Sequence, residues 1–114
     1  MLFTFDQSPF LSIASKVFEF FNERYEIASD VEIFHTNLSD KNAFGFTEMS
    51  GFEQFIQIHN DLNEDDYVTT VLHELVHVIQ NEQGITADNV REDQAYHMEK
   101  VLFNNYCASL QGVH

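Results

Sequence analysis

The stretch that decides the reading is Val68-Thr69-Thr70-Val71-Leu72-His73-Glu74-Leu75-Val76-His77-Val78-Ile79. Val68, Val71, Leu72, Leu75, Val76 and Ile79 recur at intervals of three and four, which predicts an amphipathic helix. Asn63 or Asp61 supplies its N-cap, Glu64, Asp65 and Asp66 favour its dipole, and Gly84 is placed to end it. Inside the helix stands His73-Glu74-Leu75-Val76-His77, an HExxH. Residues four apart on a helix differ by about 40° in azimuth and lie one turn apart, so both imidazoles can reach one ion. Glu74 projects beside them, able to touch a metal-bound water without ligating the metal. This pattern points to a zinc-activated water with Glu74 as general base.

Two histidines do not complete a catalytic zinc site, which takes three protein ligands and keeps a fourth position for water. The next helical pattern, from about Asp88 to Leu110, supplies Glu92 and Glu99. Seven residues apart, they differ by only about 20° in azimuth, and Ala95, Phe103 and Tyr106 lie near the same meridian. A carboxylate on a partly apolar face needs a partner, because burying an unpaired charge is costly. Small Ala95, one turn after Glu92, would let this helix approach the histidines closely. Glu92 is therefore the expected third ligand and Glu99 the alternative, able otherwise to orient a histidine from behind. Asp93 and His97 point about 100–140° away from Glu92 and are poorer ligands.

Working outward, Phe10, Ile13, Ala14, Val17, Phe18, Phe21 and Tyr25 predict a helix from about Pro9 to Glu26, with Ser8 as cap and Pro9 at its first position. Its phenylalanines are expected to pack on a sheet. Val31–Leu38, Ala43–Thr47 and Phe52–His59 read as strands, separated by turn signals at Ser39–Asn42 and Ser50-Gly51. Met1–Asp6 reads as a short strand or an ordered arm. The expected class is α+β: an N-terminal helix, a small antiparallel sheet of about three strands, the HExxH helix and a C-terminal helix. A length of 114 residues fits one domain, residues 1–114.

Composition narrows the chemistry. Nineteen acidic against five basic side chains give a formal net charge of −14, which repels phosphate backbones and anionic membrane surfaces. No nucleic-acid or membrane partner is expected. Twelve phenylalanines argue against a disordered acidic segment. Cys107 is the only cysteine, so no intramolecular disulfide forms. No run of 18 apolar residues is present, and Lys16 and Glu19 interrupt the first apolar stretch, so neither a membrane span nor a cleavable signal peptide is expected. A cytoplasmic protein is the resulting expectation.

HExxH followed fifteen positions later by Glu92-x-x-Ala95 resembles the gluzincin branch of the zincin metallopeptidases. It is most similar to the minimal ImmA/IrrE and SprT-like groups. The resemblance implies that His73, His77 and Glu92 bind Zn²⁺ and that Glu74 acts first as base and then as acid. It also implies a strand beside the catalytic helix that pairs with an extended peptide, for which Phe55–His59 is the expected segment. No Cys-rich ribbon or basic region follows the motif in this chain, unlike many SprT-like proteins. The third histidine of the metzincin pattern is absent too, position 83 being Gln.

Tyr96, Tyr106, His59 and His35 are weighed as oxyanion donors and expected mainly to be packing or surface residues. Cys107 reads as a small core residue, and Glu64–Asp66 as a helix cap without the spacing of a calcium loop. The expected function is zinc-dependent hydrolysis of a peptide or protein substrate. The alternative is a non-catalytic zinc-binding regulatory or interaction module on the same scaffold.

Overall fold

The computed structural model describes residues 2–4 and 10–110. Strand β1 (Leu2–Thr4) leads to helix α1 (Leu11–Arg24), strand β2 (Asp30–Thr36), a single 3₁₀ turn (Ser39–Lys41), and strands β3 (Gly45–Ser50) and β4 (Glu53–His59). Helices α2 (Glu64–Gln83) and α3 (Asp88–Leu110) complete the α+β order. The expected cap at Ser8-Pro9 lies outside the described residues. Asn63 caps α2, its Oδ1 accepting the Asp66 N–H at 2.8 Å, and Gly84 ends the helix at φ 74°, a conformation suited to glycine.

The sheet is mixed and has four described strands, in the order β1-β2-β4-β3, where a three-stranded antiparallel sheet was expected. Two causes account for the difference. Helix α1 carries the chain from β1 back to a parallel β2, as a crossover must. Next, β3 and β4 form a hairpin, and it is β4 that pairs with β2, in parallel. Burial explains which hairpin strand goes inside. β4 buries Gln54, Ile56 and Ile58 on one face, whereas β3 ends in three exposed residues, Glu48, Met49 and Ser50. The more polar strand takes the edge. Phe55–His59 therefore lies within the sheet, and the edge facing the HExxH helix belongs to β3. Gly45 lets that edge approach closely, since a Cβ there would stand 2.9 Å from both the Gln57 carbonyl oxygen and Thr70 Cγ2.

Helix α2 is the centre of the molecule, touching α1, α3, β3 and β4. It is buried on nearly all sides from Tyr67 to Gln80, as a helix enclosed by other elements must be. Phe18, Phe20 and Phe21 of α1 share one core with Val31 and Ile33 of β2 and Ile56 and Ile58 of β4. α1 packs chiefly on α2 and also touches β1, while Phe20 meets Tyr106 of α3 with ring centroids 5.4 Å apart. On α3 the buried stripe is Ala95, Glu99, Leu102 and Tyr106. No described helix is long and apolar enough to cross a membrane.

Buried Gln54 ties these layers together. Its Nε2 donates to Ser29 Oγ (2.9 Å) and the Val78 carbonyl (3.0 Å), and its Oε1 accepts from Asn81 Nδ2 (2.9 Å). Gln54→Leu keeps the volume but strips partners from these groups, each buried polar group so orphaned costing about 1–3 kcal/mol. Denaturant unfolding is expected to show a loss of about 3 kcal/mol. A loss under about 0.5 kcal/mol, the range of a neutral surface change, would refute that account.

Candidate metal centre

His73 and His77 stand on the buried middle of α2, and their Nε2 atoms lie 3.1 Å apart. Glu92, in the second turn of α3, brings Oε1 to 2.8 Å from His77 Nε2 and 3.7 Å from His73 Nε2. One ligand atom from each of the three falls within 4.8 Å of the others. In a tetrahedral site with bonds of about 2.0–2.1 Å, neighbouring ligands stand about 3.4 Å apart. The observed triangle brackets that value. Its donor set, two imidazole nitrogens and a carboxylate oxygen, suits a borderline divalent cation. Burial, helped by the neighbouring His77 and opposed by Glu92, holds the His73 pKa below its ordinary value, which favours the neutral ring that a metal needs.

Glu99, the alternative ligand, lies on the other side of the same ring. Its Oε1 is 3.6 Å from His73 Nδ1, just beyond hydrogen-bond reach, so the imidazole sits between the two glutamates. Burial raises the Glu99 pKa, with Lys100 opposing. Asp93 and His97 are exposed on other faces of α3.

Glu74 is buried beside the triangle. Its Oε1 accepts a hydrogen bond from Thr47 Oγ1 of the edge strand at 2.8 Å. Burial pushes its pKa up to about 7; the Thr47 bond opposes the shift, and the charge of Glu92 adds to it. The sign of the resulting pH dependence follows directly. Glu74 ionises near 4.5 in the unfolded chain but keeps its proton to about 7 in the folded, metal-free protein. Its stabilising contribution is complete below pH 4.5 and is lost as the pH rises to about 7. At 1.36 kcal/mol per unit, that loss is about 3 kcal/mol. Denaturant unfolding of metal-free protein at pH 5 and pH 7 is expected to show a drop that Glu74→Gln removes. Identical pH profiles for the two proteins would contradict it.

These groups floor an open cleft of about 610 Å³ between α3 and β3, lined also by Leu38, Phe44, Gly45, Phe46 and Tyr96. Tyr96 packs edge-on to His73, ring centroids 4.8 Å apart, and is half-exposed at the cleft wall. His59 lines the cleft too, but its Nδ1 accepts the Leu38 N–H at 3.0 Å. His35 is bound to the Tyr67 hydroxyl at 2.7 Å, and Tyr106 is buried against Phe20; neither lines the cleft. Cys107 is half-buried in α3, also outside it.

Two residues absent from the sequence reading touch the site. Thr47 reaches Glu74 only because β3 is the edge strand, and no sequence signal announces that. Gln80 places Oε1 2.8 Å from His77 Nδ1, and its position three residues after His77 on one helix face was a readable signal.

The family model described as the IrrE N-terminal-like domain, of a peptidase family, matches residues 27–108. That span runs from just before β2 almost to the end of α3 and contains every residue of the triangle. No curated protein and no solved structure matches the chain.

Proposed function

The chain belongs to the IrrE N-terminal-like peptidase family, and from that membership we propose that it is a zinc-dependent metallopeptidase. One observation carries the proposal beyond the family. The three acceptor atoms of His73, His77 and Glu92 converge at the floor of a cleft, with the buried carboxyl of Glu74 beside them. Among the described residues the cluster has three members, matching the three-ligand arrangement of catalytic zinc.

In this reading His73, His77 and Glu92 hold Zn²⁺, and Glu99 orients His73 from its Nδ1 side. When bound, zinc lowers the pKa of water and polarises the scissile carbonyl. Glu74 takes the proton from the attacking water and passes it to the leaving amine. Thr47 holds one oxygen of the Glu74 carboxyl in place. The outer edge of β3 offers main-chain groups to an extended peptide, which adds as a further strand across the cleft. The net charge of −14 makes a peptide or protein, and not nucleic acid or a membrane, the proposed partner class. Basic peptides are favoured within it, so a Lys/Arg-rich peptide should be cleaved faster than an acidic one at low salt.

The deciding experiment measures zinc stoichiometry and cleavage of unfolded protein substrates in parallel. One zinc per chain with cleavage that a chelator stops and zinc restores is the expected result. One zinc per chain without cleavage would leave the non-catalytic zinc-binding module, and no zinc uptake would refute both.

A further inference from the structure

Gln80 is fully buried on α2. Its Oε1 lies 2.8 Å from His77 Nδ1, while its Nε2 donates to the Arg91 carbonyl at 3.0 Å and to Gln94 Oε1 at 2.7 Å. The Arg91 carbonyl can only accept, so the amide nitrogen must face it and the amide oxygen must face the histidine. An amide oxygen has no proton to give, so His77 must donate from Nδ1. With Nδ1 so committed, Nε2 is the nitrogen that faces Glu92 Oε1, 2.8 Å away, and His73 Nε2, a set of contacts that needs a proton in metal-free protein and that a cation would replace. The same amide reaches Arg91, the residue immediately before Glu92. One side chain therefore touches both a histidine of the triangle and the backbone that positions its glutamate.

We infer that Gln80 is a positioning residue of the metal centre, holding His77 in its Nδ1–H tautomer and fixing the first turns of α3 so that Glu92 meets it. The inference rests on the metal-centre reading above. It assigns Gln80 no contact with substrate: the residue acts through His77 and Glu92. A ligating imidazole whose second nitrogen is hydrogen-bonded is better oriented and more basic, and losing such a partner typically lowers metal affinity 10–100-fold.

The test has two readouts, neither of them activity. Long-range ¹H–¹⁵N spectra of the zinc-free protein are expected to show His77 protonated at Nδ1. Gln80→Met, which fills the space without either polar group, is expected to mix the tautomers and to lower zinc affinity 10–100-fold in competition with a chelator. Gln80→Glu keeps an acceptor facing Nδ1 and is expected to restore the single tautomer. Wild-type His77 without a proton on Nδ1, unchanged zinc affinity in Gln80→Met, or loss of the Nδ1 proton in Gln80→Glu would each overturn the inference. Should Gln80→Met fail to fold, the wild-type and Gln80→Glu spectra still decide it. A protein that binds zinc in this way yet cleaves nothing would refute the catalytic reading alone.

Discussion

Glu74→Gln is expected to lower peptide hydrolysis by about 10²–10⁴-fold, the usual worth of a positioned general base, while zinc still binds one per chain. The substitution is nearly isosteric, and the new amide oxygen can still accept the Thr47 hydroxyl that now bonds Oε1 at 2.8 Å. It removes only the capacity to take a proton. The fold should not suffer. In metal-free protein the variant is expected to be the more stable at pH 7, because burial no longer opposes an ionising group. Loss of hydrolysis together with loss of zinc would mean that the substitution had damaged the site, and Glu74 could not be assigned as the base. A variant that kept zinc and full rate would exclude Glu74 from the chemistry.

Glu92→Ala is expected to weaken zinc binding by more than 100-fold, beyond the 10–100-fold cost of losing an outer hydrogen-bond partner. Glu99→Gln is expected to fall within that smaller range. The two carboxylates flank one imidazole, Glu92 facing Nε2 of His73 and Glu99 facing Nδ1. Only Glu92 also reaches His77, at 2.8 Å. A cation at the triangle would lose a direct ligand in the first variant and only the orientation of one in the second. Chelator competition with both purified proteins measures the difference. The reverse order would make Glu99 the ligand and overturn the assignment.

The polar chain around the site explains why such changes need not stay local. Gln54 binds Asn81, Asn81 Oδ1 accepts from Arg91 Nη1 at 2.8 Å, and the Arg91 carbonyl accepts from Gln80. Buried Gln54 and Gln80 and half-buried Asn81 therefore link the inner strand of the sheet to the element that carries Glu92. Each bond is modest in net energy, but breaking one leaves a buried partner unsatisfied.

Much of this molecule was legible locally. The three-and-four spacing of Val68 to Ile79 specified α2, Asn63 and Gly84 marked its ends, and the HExxH placed both histidines and Glu74 within one helical turn. Those features depend on contacts between near neighbours in the chain, which helix geometry dictates. Strand order was not legible, because the pairing of β2 with β4 depends on competition among strands for the buried position. The choice of Glu92 over Glu99 was legible only as a preference, through small Ala95 one turn after Glu92. The two glutamates share almost one azimuth on α3 and differ by about 10 Å along its axis, so only the sliding of α3 against α2 determines which carboxylate meets the histidines. Local periodicity determined which residues face inward. Packing between distant elements decided which of them meet, and so placed Thr47 on Glu74, Gln80 between His77 and α3, and β3 along the cleft.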